Sequence, residues 1–216
     1  MTTEIELKYQ LSSKYNDNSE IVTAITTMLN TKNITFEKNQ NQLINDYFDN
    51  DNLDLRKMDF GLRIRTRGDK HEQTIKTAGI VKDGLHQRPE YNVDIESRIV
   101  NLALFPSHIW PENVDVMALQ QSLQVLFSTN FSRHTWLIYQ GDNIIELALD
   151  SGDISTTPAQ PSVVINEIEI ELVKGDKEAL FTLAKQLLNI VSMHPSDVSK
   201  AARGYALYYD KIKKPK

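Results

Sequence analysis

The sequence predicts an α+β fold: a closed antiparallel β-barrel, or tunnel, with a charged lumen and helices packed on the outside. Several segments alternate charged and aliphatic residues with the two-residue period of a strand. Their charges are segregated by sign, since three glutamates share the stretch 167–171 and three arginines share 63–67. Amphipathic helical stretches can cover the aliphatic faces, so we expect the charged faces to turn inward. Periodicity alone also fits an open sheet with one face in water, but a solvated face usually mixes both signs.

The first half of the chain is predicted to contain most of the alternating strands. A helix is expected from Ser19, a good N-cap, because Ile21, Ile25 and Leu29 then fall on one apolar face. Asp83-Gly84 is the expected hairpin turn between the last two strands of this half. The predicted strands cover residues 4–9, 43–48, 62–67, 73–77 and 87–96.

The second half is predicted to mix strands with helices. Strands are expected over 133–140, 144–150 and 164–173, and a loop over 156–162, which contains Pro158 and Pro161. Helices are expected over 114–128, after Gly175-Asp176, and from Ser196 towards Tyr209. We find no linker that would divide the chain. One domain is therefore expected over residues 1–210, followed by a basic, frayed tail over 211–216.

Composition narrows the classes of partner. The 216 residues are 40% hydrophobic, which suits one sizeable core. A formal net charge of −5 disfavours a general nucleic-acid binder, which needs excess positive charge. No signal peptide and no apolar stretch of the roughly 18–20 residues that span a membrane is evident. Together with the absence of cysteine, this predicts a cytoplasmic protein without a membrane partner; monomer and homodimer both stay open.

The segregated charges have a definite chemical use. Clustered carboxylates bind hard cations such as Mg²⁺ or Mn²⁺, and clustered arginines and lysines bind phosphate oxygens. Neither set is stable alone in an enclosed space, because like charges repel strongly there. A ligand that compensates both sets is small, highly anionic and metal-bound. A triphosphate fits this description.

The residues that carry these charges resemble motifs of the CYTH superfamily, the triphosphate tunnel metalloenzymes. Near the start of the sequence, Glu4-Ile5-Glu6-Leu7-Lys8 is similar to the family's E-x-E-x-K signature. Further matching segments follow in the family's order, at 61–65, 74–76, 84–92, 145–150, 167–172 and 199–205. The stretch Gly84–Asn92 looks most like the branch of bacterial inorganic triphosphatases. Some members of that branch carry a following helical, histidine-rich domain, whose role is not transferred to this chain.

The resemblance implies a role for each matching charge. By resemblance, the metal-side carboxylates are Glu4, Glu6, Asp150, Glu169 and Glu171. Glu167 shares their strand face and could replace Glu169 or Glu171. The residues that would hold the triphosphate are Lys8, Arg63, Arg65, Lys76, Arg88, Arg133 and Lys200. Those expected to act in catalysis are Lys8, Glu6 and Glu171, with Mg²⁺ or Mn²⁺ as cofactor.

The activity implied by the resemblance is metal-dependent hydrolysis of inorganic triphosphate to pyrophosphate and phosphate, by in-line attack of water. Class IV adenylate cyclase and thiamine triphosphatase are alternatives that would use the same tunnel. A non-catalytic polyphosphate-binding module is an alternative of a different class. The full set of glutamates disfavours that module, because binding an anion does not require so many carboxylates.

Overall fold

The computed structural model describes residues 2–12, 18–157 and 162–213. The strands are β1 (Thr2–Leu11), β2 (Thr35–Asp49), β3 (Gly61–Arg67), β4 (Lys70–Lys76), β5 (Ile80–Lys82), β6 (Leu85–Ile95), β7 (Gln124–Gln140), β8 (Asn143–Ser155), β9 (Val163–Lys174) and β10 (Met193–Pro195). The helices are α1 (Asn18–Thr31), α2 (Asp54–Lys57), α3 (Val116–Ser122), α4 (Glu178–Leu188) and α5 (Lys200–Lys213). Two short 3₁₀ turns cover Leu102–Leu104 and Ser107–Ile109. No helix in these ranges is long and apolar enough to span a bilayer.

Eight strands close into an antiparallel barrel in the order β1-β9-β8-β7-β2-β3-β4-β6. The pairing of β1 with β6 completes the ring. The short strands β5 and β10 extend from β6 and β1 respectively. The barrel confirms the fold predicted from the alternating segments and their segregated charges.

The aliphatic faces of the barrel wall point outward and are covered by helices. Leu7 on β1 and Ile170 on β9 are buried in one cluster with side chains of α1 and α4. The α1 side chains in this cluster include Ile21 and Leu29, as the helical spacing predicts. Because side chains alternate along a strand, burying these aliphatic residues outside directs the intervening charges into the lumen.

Helix α5 lies against β7 and brings its first residue towards the lumen. Its Tyr205 packs edge-on against Phe127, with ring centroids 5.3 Å apart. Gly204 permits this approach, because a Cβ atom there would lie 2.1 Å from the Phe127 ring. The helix begins at Lys200, where the hydroxyl of Ser199 accepts a hydrogen bond of 3.1 Å from the amide of Ala202.

The helix predicted over 114–128 is wrong in its second half. Helix α3 ends at Ser122, and β7 begins at Gln124. The apolar side chains of Leu126 and Phe127 resemble a continued helical stripe, but both are buried beside β2. A register irregularity at Tyr47 lets these consecutive residues share the core, and the two rings of Tyr47 and Phe127 stack 4.8 Å apart.

Several other element boundaries differ from the prediction. The last helix does not begin at Ser196, because residues 193–195 form β10 and the Ser196 amide donates to the Lys8 carbonyl. Ser19 lies within α1, which already includes Asn18. The turn at Asp83-Gly84, with positive φ at both residues, joins β5 to β6. Helix α5 continues to Lys213, so the tail predicted from 211 is helical at first. Residues 214–216 and the prolines of the predicted loop lie outside the described ranges.

Candidate active site

A cavity of about 260 Å³ lies inside the barrel and is lined almost entirely by polar and charged side chains. We call it the central cavity. Most of the charges that the sequence assigns to the site line it: Glu4, Glu6, Lys8, Arg63, Arg65, Lys76, Arg88, Arg133, Glu169, Glu171 and Lys200. Asp150 is assigned to the site but is not among the lining residues. The opposed basic and acidic sets therefore converge in one enclosed space.

Carboxylates crowd together on one side of the central cavity. Glu171 on β9 lies directly opposite Glu6 on β1 and directly opposite Glu146 on β8. Glu4 precedes Glu6 by one strand period and faces the same cavity. Like charges in cross-strand positions destabilise a sheet unless a cation lies between them. We call these four residues the acidic row.

Glu171 is the least compensated member of the acidic row. In the described part of the chain it has no lysine or arginine within 4.0 Å. Burial, and next the negative charge of Glu4, raise the pKa of Glu171 to about 8 despite a favourable contribution from Lys76. One oxygen of Glu4, Oε2, is also buried without a hydrogen-bond partner. This oxygen-rich, undercompensated set suits a hard divalent cation, which prefers carboxylate ligands.

A second group of charges is fully paired within the protein. Arg133 donates to both oxygens of Asp150, at 2.7 and 2.6 Å, and Lys200 lies 2.6 Å from Asp150. Lys200 also contacts Glu167 and Glu169, and Lys8 contacts Glu169. We call the group the paired cluster; its members are Lys8, Arg133, Asp150, Glu167, Glu169 and Lys200. Each carboxylate in it has at least one cationic neighbour.

The cations of the paired cluster favour the ionised forms of Asp150 and Glu169. Burial alone would raise the pKa of Asp150, but Arg133 and Lys200 lower it below its ordinary value. The pKa of Glu169 is likewise held well below its ordinary range by Lys200 and Lys8, which outweigh its burial. Ion pairs with good geometry therefore compensate the desolvation of these carboxylates.

The paired cluster is also a geometric candidate for a metal site. Oxygens of Asp150, Glu167 and Glu169 lie within 4.8 Å of one another. The ammonium of Lys200 contacts all three carboxylates, and Arg203 pairs with Glu167 from its other side. These cations occupy the positions that a metal ion would need. The acidic row is therefore the better candidate, and the metal role assigned to Asp150 stays a prediction that its contacts do not favour.

The basic side of the central cavity contains guanidinium groups with unused donors. Arg65 has no carboxylate within 4.0 Å among the described residues; its Nε donates to Asn45 Oδ1 at 2.8 Å. Burial, and next the positive charges of Arg63 and Arg133, lower the pKa of Arg65 to about 10. The Nε atom of Arg63 is buried without a hydrogen-bond partner. An anion in the cavity would satisfy these donors.

One lysine and one arginine lie between the basic and acidic sides. Lys76 contacts Glu4 and lies 3.2 Å from Glu90, and Arg88 Nε lies 3.5 Å from Glu4 Oε2. Burial alone would raise the pKa of Glu90, but Lys76 and Arg63 lower it to about 2. These residues therefore connect the two charge sets and keep Glu90 ionised.

Several residues that line the central cavity carry no role predicted from the sequence. Glu90 and Glu146 lie in segments predicted as strands, but neither was assigned a role. Asn45 and Tyr47 on β2 were missed as site residues because outward-facing Asp46 between them obscures the alternation; it pairs with Arg98. The register of β2 against β3 places Asn45 beside Arg65 and Tyr47 beside Arg63.

The lumen continues into a second cavity of about 470 Å³. The two cavities share Arg65, Glu72, Arg133 and Glu146 as lining residues. We call the second one the outer chamber; its own charges include Lys38, Arg67, Lys70, Glu37 and Asp94. No tryptophan, tyrosine or phenylalanine lines it within the described ranges.

Comparisons with known proteins agree with this architecture. The family model described as the CYTH domain matches residues 2–205. An inorganic triphosphatase from Haemophilus influenzae is 35% identical over 212 residues, which are 96% of this chain and 55% of that protein. This chain thus spans about half the length of that curated relative.

Solved structures with the same fold have lower sequence identity. A Hippeastrum protein, provisionally assigned as an adenylyl cyclase and described as having a dominant triphosphatase activity, matches with a TM-score of 0.66. It is 21% identical, and the match covers 94% of this chain and 95% of that one. The PH1819 protein from Pyrococcus horikoshii OT3 matches with a TM-score of 0.56 at 18% identity, covering 98% and 99% of the two chains. At these identities the likeness supports the fold alone.

Proposed function

This chain belongs to the CYTH domain family, and from that premise we propose that it hydrolyses inorganic triphosphate to pyrophosphate and phosphate with Mg²⁺ or Mn²⁺. One observation carries the proposal: the central cavity brings together Glu171, which has no cation within 4.0 Å among the described residues, and Arg65, which has no carboxylate within that distance. A metal-bound polyphosphate would compensate both sets at once. The identity to the Haemophilus inorganic triphosphatase supports the same substrate.

The acidic row would hold the cofactor. Glu4, Glu6 and Glu171 offer carboxylate oxygens, the donors that Mg²⁺ and Mn²⁺ prefer. The weak compensation of Glu171, and a Glu4 oxygen without a hydrogen-bond partner, suit a divalent cation at this position. When bound, such an ion would polarise phosphate oxygens and neutralise part of their charge.

The basic side chains would hold and orient the triphosphate. Arg63 and Arg65 project from adjacent lumen positions of β3 and can donate in a bidentate manner to phosphate oxygens. Lys76 and Arg88 approach from β4 and β6. Fixing the phosphates in this way supplies the positioning on which phosphoryl transfer mainly depends. The geometry requires no covalent nucleophile.

Glu6 and Glu171 are the residues we propose to orient the attacking water. Both carboxylates face the cavity, and either can accept a hydrogen bond from water placed in line with the terminal phosphorus. Lys8 lies 3.4 Å from Glu6 and also contacts Glu169. We propose that Lys8 holds Glu6 in place while presenting its positive charge to the substrate.

The outer chamber favours an inorganic substrate over the organic alternatives. Its described lining offers charges and amides but no large aromatic ring on which adenine or thiamine could stack. A substrate panel with Mg²⁺ and with Mn²⁺ tests the choice: inorganic triphosphate, thiamine triphosphate, ATP and longer polyphosphate. We expect the fastest phosphate release from inorganic triphosphate. Formation of cAMP from ATP would indicate the cyclase instead, and binding of polyphosphate without turnover would indicate the binding module.

We also propose a cytoplasmic protein without a nucleic-acid partner. The cysteine-free composition and the net charge of −5 support these two proposals. Sedimentation analysis would decide between the monomer and the homodimer.

A further inference from the structure

Strand β2 contributes neutral side chains next to the arginines of the central cavity. Asn45 is paired in register with Arg65, and on its other side with Thr129 of β7. Its Oδ1 accepts a hydrogen bond of 2.8 Å from Arg65 Nε, and its Nδ2 donates one of 2.7 Å to Thr129 Oγ1. Asn45 and Thr129 are both 0% exposed. A chain of hydrogen bonds therefore crosses three strands and ends on one guanidinium group.

We infer that Asn45 is a positioning residue, which orients Arg65 towards the phosphates without neutralising its charge. The inference rests on the proposed function. Thr129 fixes the amide of Asn45, and the amide oxygen fixes Nε of Arg65. The two Nη atoms of Arg65 donate to no described residue, so they are left for a ligand in the cavity.

Arg133 shows what a charged partner does in the same lumen. Arg133 lies close enough to Arg65 to repel it, and it forms a bidentate pair with Asp150, at 2.7 and 2.6 Å. That carboxylate satisfies the guanidinium and compensates its charge. An amide oxygen holds one donor of Arg65 but carries no net charge. The positive potential of Arg65 therefore remains available to an anion.

Holding Arg65 in place requires a partner, because its surroundings are unfavourable for a cation. Arg63 and Arg133 repel it, and it is removed from bulk water. Without the amide, the side chain is expected to turn away from these neighbours. The orientation of Arg65 and its positive charge thus contribute separately to triphosphate binding. Different substitutions of Asn45 can distinguish the two contributions.

Two substitutions with opposite kinetic signatures test the inference. Asn45→Asp keeps the size of the side chain and its contact with Arg65 but adds a negative charge. We expect the KM for inorganic triphosphate to rise about tenfold or more, equivalent to at least 1.4 kcal/mol of binding. Asn45→Ala leaves Arg65 charged but removes the hydrogen bond that orients its side chain. We expect its kcat to fall about tenfold with a smaller change in KM.

Further variants exclude a purely structural role. Thr129→Val removes the acceptor for the Asn45 amide and should behave like Asn45→Ala, whereas Thr129→Ser keeps the hydroxyl and should restore the wild-type kinetics. Asn30→Asp, on the exposed face of α1, controls for the added negative charge. Thermal unfolding of each variant checks the fraction of folded protein.

Calorimetric titration with inorganic triphosphate in EDTA gives a readout independent of turnover. We expect Asn45→Asp to lose affinity by the same factor as its KM rises, and Asn45→Ala to lose less. Equal KM and affinity changes in the two variants, or none in either, would overturn the inference. Wild-type protein that binds triphosphate but does not hydrolyse it when Mg²⁺ or Mn²⁺ is supplied would contradict the proposed function instead, while the contrast in affinity would still test Asn45.

Discussion

The paired cluster and the acidic row occupy the same lumen, but they differ in how far their carboxylates are compensated by neighbouring cations. In the paired cluster, Asp150 is fully buried and is compensated by Arg133 and Lys200. In the acidic row, Glu171 faces two other glutamates and has no cationic partner in the described ranges. The carboxylates of the first region are compensated within the protein, whereas Glu171 in the second is not. Buried charges therefore mark a binding site where their compensation is missing, rather than where they are most numerous.

The largest expected effect is on turnover by the acidic row. Glu171→Gln removes a charge that the account assigns to metal binding and to orienting water, so hydrolysis of inorganic triphosphate should fall on the order of 100-fold. Glu6→Gln should show a similar loss. Steady-state phosphate release at saturating Mg²⁺ measures it, with Glu178→Gln on the exposed start of α4 as the matched control. Unchanged turnover in both variants would show that neither Glu6 nor Glu171 takes part in the mechanism.

The next effect is on stability and should be confined to the paired cluster. Asp150→Asn removes the bidentate partner of Arg133 and one of the three carboxylates at Lys200, so the free energy of unfolding should fall by up to about 3–5 kcal/mol. Urea unfolding in EDTA measures the loss. Glu171→Gln should not destabilise the protein in the same experiment. If the two substitutions destabilise equally, the distinction between the regions is wrong.

The pH dependence of stability should separate the same regions. Without metal, the pKa of Glu171 is about 8 in the folded protein and 4.5 ordinarily, so the folded state binds more protons between these values. The contribution of this group to stability is therefore present below pH 4.5 and lost as pH rises through 8. Glu171→Gln should flatten the fall in unfolding free energy between about pH 5 and pH 8 in EDTA. An unchanged slope would show that the pKa of Glu171 is not raised in the metal-free protein.

The smallest expected effect concerns the outer chamber. Arg67 is exposed and forms no ion pair with a described residue, so its charge is screened by water and salt. Arg67→Ala should change the KM for inorganic triphosphate by no more than about threefold. Arg65→Ala, one strand period further into the lumen, serves as the contrasting variant. A larger loss for Arg67→Ala would extend the substrate site into the outer chamber.

The sequence predicted the barrel and its charged lumen because alternation in β1, β3 and β9 is strict. It could not predict β2 over residues 35–42, where the strand is mostly polar and has no alternating apolar face. The helical spacing of Leu119, Leu123 and Leu126 similarly hid the start of β7. Both segments are held by strand pairing between β2 and β7: residues 35–42 pair with residues 132–139, and the start of β7 pairs with residues 46–49.

The partners of individual charges were beyond the reach of the sequence. Asp150 and Glu171 both belong to charged strand faces and resemble family motifs equally well. Only the register shows that Asp150 lies opposite Arg133, whereas Glu171 lies opposite Glu6 and Glu146. Strand parity gives the face of a side chain, but compensation depends on which strands are neighbours.

Anomalous scattering from crystals soaked with Mn²⁺ and inorganic triphosphate tests most directly whether the acidic row is completed by a metal-bound substrate. The account predicts a manganese peak in contact with Glu4, Glu6 or Glu171, with phosphate density reaching Arg63 and Arg65. A peak among Asp150, Glu167 and Glu169, or phosphate density confined to the outer chamber, would contradict it.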